Sequence, residues 1–210
     1  QTRTRFNEAN DSHYYLVPGV IVTIMTMIGA LLTSLVMARE YERGTLESLF
    51  VTPVGSGEIL TAKAATNFLL GMVSLAISMI FAAFVFDIPI RGSLTLLLAV
   101  SALFLIVALG LGLVISTATK NQFLACQFAI MGTFMPALML SGFLYDILNM
   151  PPAVRALTYM IPARYYVTLL QTLFLAGDIP SVIIPCCITL GVFAVVLMGI
   201  ARLKAPKSLE

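Results

Sequence analysis

The chain has 210 residues, of which 60% are apolar and 10% charged, and its Lys and Arg exceed its Asp and Glu by a net charge of only +2. Soluble domains run nearer to about 45–50% apolar and 25% charged, so an ordinary water-soluble globule is excluded, and so is a disordered chain. The cations form no run, which argues against nucleic acid as a partner.

Five charge-free stretches come in order: Tyr14–Ala38, Ala64–Phe86, Gly92–Thr119, Asn121–Tyr145 and Ile179–Ala201. At about 1.5 Å per residue each exceeds a hydrocarbon core of about 30 Å. They predict an all-α polytopic membrane protein with spans at about 16–38, 62–86, 94–117, 122–144 and 180–202, inside a membrane domain over 14–203. Residues 204–210 read as a cytoplasmic tail. Residues 1–13 read as the end of a truncated extracytoplasmic region, because Gln1 falls on the outer side with no initiating Met or signal peptide before it.

The loop after the first span is patterned. Thr45 can cap a short helix, Glu47 suits its first turn, Leu46, Leu49 and Phe50 form an i, i+3, i+4 stripe, and Pro53 stops it. This predicts a cytoplasmic amphipathic helix over 40–53. A helix resting on lipid is the plain alternative, but Glu40, Glu42, Glu47 and Glu58 suit anionic headgroups badly, which favours a protein partner.

Between the fourth and fifth spans, Tyr165–Gly177 is charge-free but too short to cross. Tyr165, Tyr166, Leu169, Leu170, Leu173 and Phe174 make an apolar face, with Thr168, Gln171 and Thr172 between. Met150-Pro151-Pro152 and Pro162 break the chain upstream, so 146–178 reads as a helical hairpin at, or dipping into, the outer interface.

Arg39, Arg43, Lys63, Lys120, Arg202, Lys204 and Lys207 fall on one side of the spans, and Arg3, Arg5, Arg91, Arg155 and Arg164 on the other. The positive-inside rule then puts the C-terminus in the cytoplasm. His13 reads as an interfacial residue, and Cys126, Cys186 and Cys187 as packing residues without metal spacing. Asn67 and Gln127 are candidates for a substrate path, or ties between helices. Gly110, Gly112, Ala125 and Ala129 permit close helix approach. The chain carries no GxxxxGK[ST] phosphate loop, no catalytic cluster, no metal-ligand set and no acidic relay inside a span, so neither a membrane enzyme nor an ion-coupled carrier is indicated.

Several segments together resemble the ABC-2-type transporter permeases, in particular the bacterial drug-efflux branch of YbhR/YbhS-like proteins. The residues concerned are Pro18-Gly19, Glu42-Arg43-Gly44-Thr45, Glu47, Leu49, Thr52-Pro53, Lys63, Leu140-Ser141-Gly142-Phe143, Met150-Pro151 and Pro162-Ala163-Arg164-Tyr165. Asp146, where the family usually has Pro, and Gln171, where many members place Arg, depart from it.

The resemblance implies a permease subunit of an ATP-driven exporter moving an amphiphilic drug or lipid-like substrate outward across a bacterial inner membrane. Glu42, Arg43, Gly44, Thr45, Leu46, Glu47, Leu49, Phe50, Thr52 and Pro53 would then couple to an ATP-binding subunit. That subunit would hold ATP and magnesium, since this chain is expected to carry no cofactor. The 146–178 hairpin would be an extracytoplasmic re-entrant pair, with Ser141, Gly142, Arg164, Tyr165 and Tyr166 as outer-gate candidates. A second permease subunit and membrane lipids are the further partners implied. A non-transporting membrane scaffold is the alternative reading.

Overall fold

The computed structural model describes residues 13–44, 56–86, 88, 91–145 and 147–204. All elements among these are helical. Five of the helices are long and apolar enough to cross a membrane: Leu16–Glu42, Ala62–Phe84, Leu94–Thr119, Gln122–Leu140 and Pro180–Leu203, the first to fifth spans.

The third span is the hub. It has 56% of its most apolar window buried, against 28% or less for the second, fourth and fifth. Small residues allow this. A Cβ on Gly112 would stand 2.6 Å from the Ala30 carbonyl oxygen of the first span, and one on Gly110 would stand 3.0 Å from Leu197 Cβ of the fifth. Neither backbone could approach so closely past a side chain, which is how helices associate where apolar burial gives no preference over lipid.

Two spans are not uniform α-helix. The first carries a π turn at Met27–Leu32 and the fourth one at Ile130–Phe134. The latter has a local cause, since Pro136 has no N–H for the carbonyl one turn earlier and the hydrogen bonding shifts register. The two π turns face each other across the bundle.

The first span runs on to Glu42, so Glu40, Tyr41 and Glu42 belong to its last turn rather than to a separate helix over 40–53. Nothing from Ala38 to Glu42 breaks a helix, and the first break comes at Gly44, whose φ of +65° favours glycine. Residues 45–55, with all of the expected amphipathic stripe of Leu46, Leu49 and Phe50, lie outside the described residues. The fourth span stops at Leu140, short of the expected 144, and Gly142 at φ +88° turns the chain.

The segment after the fourth span folds as a 3-10 turn at Ile147–Asn149, a short helix at Pro152–Thr158 and a helix at Pro162–Gln171 that continues through a π turn at Thr172–Ala176. This last helix is no surface element. It packs between the first, third and fifth spans, and Tyr166, Leu169, Leu170, Leu173 and Phe174 have no exposed surface. A charge-free stretch too short to span can still fill a gap that longer neighbours leave.

Candidate transport site

The wedge helix Pro162–Gln171 is fixed at both ends. At its C-terminal end the helix closes on Gly177, and three of the carbonyls that a helix end leaves unpaired find donors elsewhere. The Thr172 carbonyl accepts from the Gly177 N–H at 2.9 Å, Leu173 from the Gly92 N–H at 2.8 Å, Phe174 from the Arg91 N–H at 3.4 Å, and Leu175 from Arg91 Nη1 at 3.3 Å. Asp178 Oδ1 accepts the Ser93 N–H at 2.9 Å, which ties the following turn to the start of the third span.

Further along, the Tyr166 ring stacks on Phe104, with centroids 4.1 Å apart and planes 13° from parallel. Its hydroxyl donates to Ser101 Oγ at 2.8 Å, and Ser101 Oγ donates in turn to the Leu97 carbonyl at 2.7 Å. A buried phenol is thereby satisfied without a charge.

The inner end of the wedge is level with Phe104 to Leu111, the middle of the third span. There Met160, Ile161, Pro162 and Ala163 close one side of a cavity of about 90 Å³. The other walls are Thr26 of the first span, Phe104, Ala108 and Leu111 of the third, and Gly132, Thr133 and Ala137 of the fourth. Thr26 and Thr133 spend their hydroxyl protons on the carbonyls one turn earlier, at 2.8 and 2.5 Å. The cavity is therefore nearly apolar. A drug-sized ligand needs about 300–1,000 Å³, several times this volume.

Ser141 extends the stripe of Thr133 and Ala137 by one turn toward the end of the fourth span. It is buried, and its hydroxyl has no hydrogen-bond partner. Next to it, Gly19 lies so close to Phe143 that a Cβ would fall 1.8 Å from the ring. Pro18-Gly19 and Ser141-Gly142-Phe143, distant in sequence, thus form one contact. Arg164 and Tyr165 close the turn before the wedge. Arg164 Nη1 donates to Thr158 Oγ1 while its guanidinium lies 3.9 Å over the Tyr159 ring, and Tyr165 Oη donates to the Tyr159 carbonyl at 3.0 Å. Arg164 is not paired with Asp178, whose partner is Ser93.

Asn67 and Gln127 are not brought together. Asn67 is buried and donates to Thr33 Oγ1 of the first span at 3.0 Å, whereas Gln127 lies on an exposed face of the fourth span. Apart from Pro162 and Ala163, the cavity residues were missed in the sequence because they are small or apolar.

At the opposite end of the bundle, Glu42 Oε2 accepts the Gln122 N–H at 2.9 Å, and Glu40 pairs with Lys63 at the start of the second span. Arg43 caps the first span with its N–H on the Arg39 carbonyl at 3.0 Å, and Gly44 follows. Of the expected coupling residues, Glu42, Arg43 and Gly44 are described, while Thr45, Leu46, Glu47, Leu49, Phe50, Thr52 and Pro53 are outside the described residues.

Among the described residues, an all-helical bundle with five helices long and apolar enough to cross a membrane is the build of a polytopic membrane protein. The chain belongs to the ABC-2 type transporter family, whose model matches residues 2–175. It is 47% identical over its whole length to the Escherichia coli (strain K12) protein named "Probable multidrug ABC transporter permease YbhS", and covers 56% of that protein. It is 31% identical over 176 residues, 82% of the chain, to "Probable multidrug ABC transporter permease YbhR" of the same organism, covering 47% of it. It is 28% identical over its whole length to "Inner membrane transport permease YhhJ", also of Escherichia coli (strain K12), covering 56%. The chain spans about half the length of these curated relatives, and its type is that of YbhR and YbhS.

Proposed function

We propose that this chain is the transmembrane part of an ATP-driven exporter that moves an amphiphilic drug or lipid-like substrate outward across a bacterial inner membrane. The observation that carries the reading is the 47% identity, across all five spans, to a protein named as a multidrug ABC transporter permease. The inner-membrane name of a second relative supports the location. ATP and magnesium are held by a separate ATP-binding subunit, and two permease subunits make the working transporter.

In this reading the Arg43–Lys120–Lys204 side is cytoplasmic and the 146–178 hairpin enters the membrane from outside. The loop 43–55 is the seat of the ATP-binding subunit. Nucleotide-driven movement of that loop parts the fourth span from the wedge helix, widening the cavity at Thr133 and Ile161. The cavity's nearly uncharged walls suit an amphiphile's apolar body. Ser141 supplies a hydroxyl on the way out, and the Ser141-Gly142 turn with Tyr165 and Tyr166 forms the outer gate.

Proteoliposomes holding the permease with its ATP-binding subunit test this. ATP and magnesium together should drive a fluorescent amphiphile across the bilayer. Stable binding of the ATP-binding subunit without ATP-dependent movement of any amphiphile would instead favour the scaffold. Single-cysteine labelling with an impermeant reagent from outside intact cells should reach position 155 and spare position 120; the reverse pattern would overturn the orientation.

A further inference from the structure

The mouth of the 43–55 loop holds three spans together. Its stem is the last turn of the first span. From there Glu40 reaches Lys63 on the second span, and Glu42 reaches the N-terminus of the fourth. The donors at that N-terminus can be accounted for one by one. Asn121 is its cap, and Asn121 Oδ1 accepts from the Phe123 N–H at 3.0 Å and the Leu124 N–H at 3.2 Å. The Asn121 carbonyl accepts from Ala125 at 2.9 Å. What the local cap cannot reach is the first helical N–H, that of Gln122, and Glu42 Oε2 takes it. A carboxylate there is doubly suited, since it satisfies an otherwise unpaired donor and sits at the positive end of a helix dipole.

We propose that Glu42 is a positioning residue: it carries displacement of the 43–55 loop into the fourth span by holding that span's first backbone N–H, with Glu40–Lys63 as the parallel tie to the second span. This rests on the proposed reading of the loop as the seat of the ATP-binding subunit. Glu42 then acts within the permease rather than in the docking surface. Two features make the contact an effective lever. Behind Glu42 the first span is helical without interruption from Leu16, and its inner part packs along the start of the fourth, with Met37, Ala38, Ala125 and Ala129 fully buried. Ahead of Glu42, the helix ends at Gly44, which turns the chain at φ +65°. The same fourth span lines the cavity at Gly132, Thr133 and Ala137, so a pull on Gln122 acts on the element that has to move for substrate to pass.

The test is amide hydrogen exchange on the permease with its ATP-binding subunit in lipid nanodiscs, with and without trapped nucleotide. In the natural protein, trapping should alter exchange both in 43–55 and in 121–126. In Glu42→Ala, basal exchange at Gln122 should rise about tenfold on loss of a charge-assisted bond, the response of 43–55 should persist, and the response of 121–126 should vanish. Glu42→Gln keeps an acceptor oxygen and should give an intermediate response, which carries the test should the alanine variant fail to insert. Asn121→Ala should raise basal exchange at Phe123 and Leu124 yet leave the nucleotide response in place.

A full response of 121–126 in Glu42→Ala would overturn the inference. So would loss of subunit binding in Glu42→Ala, which would return Glu42 to the docking surface. A loop that responds to nucleotide in the natural protein while 121–126 does not would overturn the inference alone, whereas a loop that does not respond at all would contradict the proposed coupling as well.

Discussion

Two helix ends in this bundle are closed by other parts of the chain, and they differ in kind. At the C-terminal end of the wedge helix the Leu173, Phe174 and Leu175 carbonyls accept from Gly92 and Arg91, and its body is locked by the Tyr166 ring on Phe104 and the Tyr166–Ser101–Leu97 hydrogen bonds. The start of the fourth span is closed by its own Asn121 cap and, at Gln122, by the carboxylate of Glu42, whose surroundings are exposed. Desolvated neutral contacts hold firmly and are indifferent to salt, whereas exposed charged contacts are each worth at most about 1 kcal/mol and are screened. The wedge therefore behaves as a fixed partner, and the stem at the end of the first span as the compliant part, the part that the proposed ATP-binding subunit would move.

That contrast can be broken first at Tyr166. Tyr166→Ala removes a fully buried ring and should cost about 3 kcal/mol or more, read as loss of thermal stability in mild detergent. Tyr166→Phe keeps the stack and should cost about 1 kcal/mol through the orphaned Ser101 contact; an alanine variant as stable as the parent would mean the wedge is not a packed element. Gly19→Ala should cost about 1–3 kcal/mol, because the Phe143 ring must leave its place. Adding Phe143→Ala should recover part of that loss, and an uncoupled pair in the double-mutant cycle would contradict the contact. Glu42→Gln at the stem, an exposed position, should lower stability by no more than about 1 kcal/mol, and less in high salt; a larger, salt-insensitive loss would erase the distinction between the two ends. Smallest of all, Asn67→Ala should cost about 0.6 kcal/mol, the usual worth of a hydrogen bond between spans. Unchanged substrate selectivity in that variant is expected if Asn67 serves Thr33, and altered selectivity would restore it to the substrate path.

The five spans were legible because long charge-free runs admit few other readings, and the prolines at 151, 152 and 162 marked the hairpin. Its depth was not legible. Arg164 and Asp178 bound a stretch too short to cross, and length alone cannot separate a helix on the interface from one inserted among longer neighbours. Arg164, half-buried, is accommodated because Thr158 and Tyr159 receive its guanidinium, a local solution that spacing does not reveal. Polarity was a poor guide to the cavity. It pointed to Asn67, which is used on Thr33, and to Gln127, which lies outside, while the walls are built from Ala, Gly, Thr and Phe. Glu42 was noticed as part of a loop motif, but its partner Gln122 lies eighty residues away and offers only a backbone N–H.

The central claim is that transport parts the fourth span from the inner end of the wedge. Spin labels at Met131→Cys and Met160→Cys, both exposed positions flanking the cavity, report this directly once Cys126, Cys186 and Cys187 are replaced by serine. With the ATP-binding subunit bound, trapped nucleotide should lengthen the distance within a subunit by about 5 Å, the scale of a one-turn shift between packed helices. A distance that stays the same with and without nucleotide, in a complex that still transports, would contradict the account.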